Sequence, residues 1–166
     1  TSVDVNQLYP VQDEALTVTV NLLNSSNVVS GNFNVQLYDQ FLQNGVTQNI
    51  LLGHQTVSGL GLGVSASQFS WTPSLVGQHT LKVVIDPQNQ INENNESNNQ
   101  FIWDITVDSK YPNVAIYQPS NNSVIGKGIN FIGGVLDAKD RFIVNNVNLV
   151  WTSNVDGMVG NGQHLL

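Results

Sequence analysis

Cysteine is absent from the 166 residues, which excludes disulfides, thiolate metal centres and cysteine nucleophiles together. Cationic side chains are scarce as well. Five Lys and Arg, scattered from Lys82 to Arg141, stand against twelve Asp and Glu for a formal net charge of -7. Phosphate backbones are bound by clustered Lys and Arg, so nucleic acid is excluded as a partner. No apolar run approaches the roughly 20 residues needed to cross a bilayer, and the chain does not open on the basic and apolar blocks of a signal peptide. Membrane insertion is therefore not expected. Charged residues make up only 10% of the chain, and Asn, Gln, Ser and Thr supply much of the polarity instead.

What the sequence does contain is period-two alternation, with helical spacing nearly absent. "TVTVNLL" sets Val18, Val20 and Leu22 on one face against Thr17, Thr19 and Asn21. "FNVQLYD" does the same with Phe33, Val35 and Leu37 against Asn34, Gln36 and Tyr38. Phe69 with Trp71, then Leu81, Val83 and Ile85, then Phe101, Trp103, Ile105 and Val107 form further rows. Turn chemistry bounds them, at "NSSN", "SGN", "QNG", "SGLGLG" and "SLVG". Short strands at this spacing within about 100 residues predict an immunoglobulin- or fibronectin-III-like β-sandwich, two sheets closing on alternate side chains.

Residues 1–108 are expected to form that domain and 109–112 a linker, since "DSKYP" ends on a proline that resists continued pairing. The pattern then restarts with Val114 and Ile116, with Ile129, Phe131 and Val135, and with Val147, Leu149 and Trp151. Three strands stand where about seven complete a sandwich. Residues 113–166 are therefore expected to be the N-terminal part of a second, truncated Ig-like β domain, in a chain that is a fragment of a longer protein. An uncovered apolar face and open edges need a cover, from the first domain or from a homodimer through this element.

The segment "DPQNQINENNESNNQ", residues 86–100, concentrates carboxylates and amides. Asp86, Glu93 and Glu96, with the amide oxygens of Asn94 and Asn98, are the hard-oxygen set a calcium ion would take. Against calcium, the segment lacks both the sharp-turn glycine of an EF-hand loop and its D-x-D-x-D series. Acid–base catalysis needs carboxylates pushed apart in pKa by a desolvated cleft, which Asn, Gln and Ser neighbours do not supply. The stretch reads instead as a long hairpin connection: Pro87 ends ladder pairing, Ile91 tucks under the sandwich end, and the amides satisfy the turns locally. No catalytic residue and no cofactor are expected.

His54, His79 and His164 have no carboxylate at a useful spacing, and "GLGLG" neither opens a helix nor precedes a Lys-Ser pair. Trp71, Trp103 and Trp151 all fall on apolar rows and are expected in cores. For a glycan ligand Tyr38 and Tyr117 are the better-placed aromatics. Three N-x-S sequons occur, at Asn24, Asn95 and Asn121, each in an expected loop.

Together, "FSWTPSLVG", "HTLKVVID" and the hairpin "DPQNQINENNESNN", preceded by "LTVTVNLLNSSNVVSGNFNVQLYD", resemble the CARDB family of cell-adhesion-related domains of bacterial and archaeal surface proteins. The resemblance covers nearly all of residues 1–107. The second segment is similar to the opening half of a bacterial Ig-like or PKD-type domain. The family resemblance implies an Ig-like sandwich repeated as a noncatalytic module in large secreted or envelope-attached proteins. It places the chain outside the cell or at its surface, as a structural or adhesion spacer whose partners are adjacent domains of the parent and a surface protein or glycan. The alternative is a carbohydrate-binding or targeting module of a secreted enzyme.

Overall fold

Alternation decides the first sheet. In the structure, a computed structural model describing residues 2–6, 9–93, 95–124, 126, 128–136 and 148–165, strand β2 (Leu16–Asn24) buries Leu16, Val18, Val20 and Leu22 and turns the residues between them outward. Asn94 and Val147, named above, lie outside the described residues. β2 pairs antiparallel with β1 (Ser2–Val5) on one side and β5 (Gly63–Trp71) on the other. β-branched residues with one wet and one dry face suit such strands.

A second sheet faces it, in the order β4 (Val46–Ser58), β3 (Asn32–Gln43), β6 (Gly77–Ile85), β7 (Gln100–Val107), antiparallel throughout. Phe33, Val35 and Leu37 of β3, Leu81 and Val83 of β6, and Ile105 and Val107 of β7 enter one core with the β2 row, Phe69 and Trp71. Each fully buried Val or Leu contributes about 1.5–3 kcal/mol. Phe101, Trp103 and Ile85 pack against this core from partly buried positions. These are the rows anticipated from the sequence.

Two strands were not anticipated. β4 has no apolar alternation because it is an edge strand, largely exposed along its 13 residues. β1 is only four residues long. The β3–β4 hairpin turns at Asn44 and Gly45, with φ of 52° and 76°, the left-handed pair that a type I′ turn demands.

The chain divides into two compact units, residues 1–108 and 109–166. In the second, β8 (Asn113–Gln118), β9 (Phe131–Leu136) and β12 (His164–Leu165) form one sheet in the order β12-β9-β8, and β10 (Val150–Ser153) pairs with β11 (Gly157–Asn161) in another. Five strands are therefore described where the sequence pattern suggested three. Trp151 is buried, 5.7 Å from the Phe131 ring, and its Nε1 donates to the Gly162 carbonyl at 2.8 Å. Gly133 makes room for that indole, since a Cβ there would sit 3.0 Å from Cη2 and Cζ2. Val114 pairs across the sheet with buried Val135, and Ile116 with Gly133. Directly paired residues share a face. Val114 and Ile116 are nonetheless 60% and 64% exposed, so that part of the face is uncovered. The chain is all-β across the described residues.

Candidate functional site

The polar and titratable groups of the first unit gather at two opposite ends of the sandwich. At one end the inward rows finish in polar residues. Asp39 continues the phase of Phe33, Val35 and Leu37 on β3, and His79 precedes Leu81 and Val83 in the inward phase of β6. Both are buried, with 4% and 2% exposure. The β3–β6 register sets Asp39 opposite Leu81 and Phe41 opposite His79, so the acid and the imidazole are diagonal neighbours. Asp39 Oδ1 lies 2.8 Å from His79 Nδ1, and Asp39 Oδ2 accepts from Trp71 Nε1 at 3.0 Å. His79 Nε2 is 3.1 Å from the Leu75 carbonyl. The imidazole is flanked by Phe41, centroids 5.0 Å apart, and by the edge-on Trp71 at 5.6 Å.

Among the described residues no buried side-chain nitrogen or oxygen lacks a hydrogen-bond partner. The cluster is thus closed upon itself. Both imidazole nitrogens face oxygens of the chain, one a carboxylate oxygen and the other a backbone carbonyl. The ring is buried between the two aromatics, with both nitrogens engaged by those oxygens. His79 is not isolated, contrary to what its sequence neighbours alone imply: its acid partner stands 40 residues away in sequence, on a neighbouring strand. The signal was available in the phase, because Asp39 is the next inward position after Leu37.

The acidic hairpin lies at the other end. Asp86 is also buried at 4%, contrary to the solvated setting inferred from its neighbours. It adopts φ 45°, a left-handed conformation that Asp tolerates better than most residues. Its Oδ1 accepts from the Gln90 N–H at 3.0 Å and its Oδ2 from the Ile91 N–H at 2.7 Å. Ile91 packs back against the core, and its Cδ1 would lie 3.0 Å from a Cβ on Gly31. The short 3-10 turn Glu96–Asn98 follows, capped by Asn95. Glu96 Oε1 accepts from the Glu93 N–H at 2.9 Å and Oε2 from Asn99 Nδ2 at 3.0 Å. The oxygens of Asp86 and Glu96 are thereby aimed at the chain's own N–H groups. No group of three or more His, Cys, Asp or Glu able to hold a metal occurs among the described residues. Between this hairpin and the loop after β2 lies an open hollow of about 580 Å³, floored by Leu22, Phe33, Leu60 and Ile85.

The remaining sequence candidates do not converge. Tyr38 is half-buried on the outer face of the four-stranded sheet, opposite Lys82, and its hydroxyl donates to Gln36 Oε1 at 2.8 Å. Tyr117 is on β8 of the second unit and 47% exposed. His54 and His164 are exposed.

A two-sheet antiparallel sandwich with inward rows from both layers places the first unit in the class of immunoglobulin-like β-sandwiches. Within it, the CARDB family model matches residues 2–102, and the chain belongs to that family. No curated protein matches it. Among solved structures it is similar to the CARDB domain of the PF1109 protein from Pyrococcus furiosus in complex with di-metal ions. That likeness is 23% identical, covers 63% of this chain and 87% of that one, and has a TM-score of 0.53. A domain, residues 272–376, described as part of a cell surface protein of Methanosarcina acetivorans is 30% identical over 63% of this chain and 86% of that one, at a TM-score of 0.47. A β-glucosidase of Erythrobacter marinus is 20% identical over 64% of this chain and 15% of that one, at 0.48. No described helix is long and apolar enough to cross a membrane.

Proposed function

We propose that the chain is a noncatalytic structural spacer of a larger secreted or envelope-attached adhesion protein, working outside the cell. The observation that carries this reading is the closure of its polar groups. Asp39, His79 and Asp86 are the titratable residues buried in the described sandwich, and each is held by hydrogen bonds that stabilise a strand end or a loop. Such a module contributes length and stiffness, while its amide-rich surface resists nonspecific association at the edge strands. Membership of CARDB supports the surface address.

The Pyrococcus domain is described with two metal ions. In this chain the Asp86 and Glu96 carboxylates hold N–H donors, which supports a fold that stands without calcium or another resident metal. The spacer reading is tested by exchanging residues 1–108 in the parent protein for an unrelated sandwich of equal span. Cell-surface display and adhesion are expected to persist. Loss of adhesion with display intact would overturn the spacer role and point to a ligand, such as a glycan on the outer face around Tyr38.

A further inference from the structure

The three N-x-S sequons have the same local sequence logic but are held in three different ways. At the first, Asn24 is half-buried and both hydrogens of its Nδ2 are occupied, donated to the Val28 carbonyl at 2.9 Å and the Leu60 carbonyl at 2.7 Å. The hydroxyl of Ser26 is turned away to accept from the Val28 N–H at 3.1 Å. At the third, Asn121 is exposed, but the Ser123 hydroxyl donates to the Ser120 carbonyl at 2.6 Å. Asn121 receives nothing from it.

The second sequon, Asn95-Glu96-Ser97, is arranged differently. All three residues are exposed at the end of the sandwich. Asn95 Oδ1 accepts twice, from the Ser97 N–H at 3.1 Å and from the Ser97 hydroxyl at 2.6 Å. Among the described residues its Nδ2 donates to nothing, so the nitrogen is free to react. A carboxamide nitrogen is a weak nucleophile because its lone pair is delocalised onto oxygen. When Nδ2 loses a proton, negative charge gathers on Oδ1, and two donors already aimed at that oxygen stabilise the charge as it forms. The Glu93 carboxylate, two residues upstream and exposed, adds an anionic handle for a cationic subsite on a transferase.

We propose that Asn95 is the N-glycosylation site of this chain in its folded state, and that Asn24 and Asn121 are not. The donor is an oligosaccharide linked to a polyprenyl diphosphate. Asn95 Nδ2 forms a bond to the anomeric carbon, the bond from that carbon to the diphosphate oxygen breaks, and the lipid diphosphate leaves with the electron pair. The proton from Nδ2 passes to a base of the transferase, and no redox step is involved. In the cell, modification also requires the export assumed in the spacer reading. Reconstitution does not, so the two proposals fail separately.

The test incubates the folded chain with a single-subunit oligosaccharyltransferase and its polyprenyl-diphosphate oligosaccharide, with site occupancy read by peptide mass mapping. Peptides spanning each sequon report what the transferase accepts without the fold. Asn95 is expected to be modified at least tenfold faster than Asn24 or Asn121 in the folded chain, although the Asn24 peptide is modified when free. Ser97→Ala abolishes the product, Ser97→Thr retains it, and Glu93→Gln slows it severalfold. An unmodified Asn95 in the folded chain beside a modified Asn95 peptide would overturn the proposal. So would equal rates at Asn24 or Asn121 in the folded chain.

Discussion

Asp39 accepts from the Trp71 ring N–H and pairs with His79 Nδ1, on residues that stand 32 and 40 positions away in sequence. A buried charge is tolerated only when its lone pairs are matched, and removal of one member leaves the other unpaired in a low-dielectric interior. Asp39→Ala is therefore expected to cost about 3–5 kcal/mol in urea unfolding, the range for stripping one partner from a buried pair. Replacing Asp39 and His79 together by Leu recovers part of that loss, because the two groups leave together while the buried Trp71 Nε1–H still loses its acceptor. A loss under about 1 kcal/mol for Asp39→Ala, the worth of an ordinary neutral hydrogen bond, would show that the cluster is not a paired charge. Phase alone pointed Asp39 and His79 inward. Their contact depended on the register of β3 against β6, which no stretch of either strand encodes by itself.

The β3–β4 hairpin and the acidic connection differ at the level of elements in how much local sequence fixed them. "QNG" between two strand-forming runs identified the turn, and Asn44 and Gly45 take the two positive φ values such a turn requires. Nothing lies within 4 Å of a Cβ placed on Gly45. Gly45→Ala thus isolates backbone strain from crowding and is expected to cost about 1 kcal/mol by chemical denaturation, the penalty of a left-handed conformation for an L-residue. β4 itself escaped notice because this edge strand is largely exposed and only Leu52 and Val57 pack against the core, too few to set up an alternation. In the acidic connection, Pro87 and Ile91 announced the end of pairing and the return to the core. The burial of Asp86 was not announced, because it arises from N–H groups four and five residues ahead folding back onto the carboxylate. If those bonds complete the hairpin, millimolar calcium leaves the thermal unfolding midpoint of the chain where it is in chelator. A calcium-dependent rise would reveal a bound ion, since a ligand that binds only the native state stabilises it by mass action.

For the whole molecule, two compact units predict two responses to damage. Trp151 fills the space over Gly133 and beside Phe131, so Trp151→Ala is expected to cost about 3–5 kcal/mol. That is comparable to the entire stability of so small a unit at roughly 0.05–0.15 kcal/mol per residue. Hydrogen-exchange protection in β8 to β12 should collapse, while β2, β3 and β6 keep theirs. Simultaneous loss in both units would show that they fold as one. Ile116→Lys serves as the contrast, since its 64% exposure leaves little packing to remove and the expected change is within about 0.5 kcal/mol.

The sequence by itself determined that the chain is all-β, which residues form the inward rows, and where the tight turn falls. Each of these follows from a local constraint, either the two-residue period of an extended chain or the residues a tight turn requires. Only the tertiary structure decided that Asp39 meets His79 and Trp71, that Asp86 is buried, and that among the three sequons the serine hydroxyl reaches the asparagine oxygen at Asn95. The first depends on register between strands tens of residues apart, where a shift of one position would turn every side chain of a strand to the opposite face, and the other two on how a loop closes over its own N–H and hydroxyl groups.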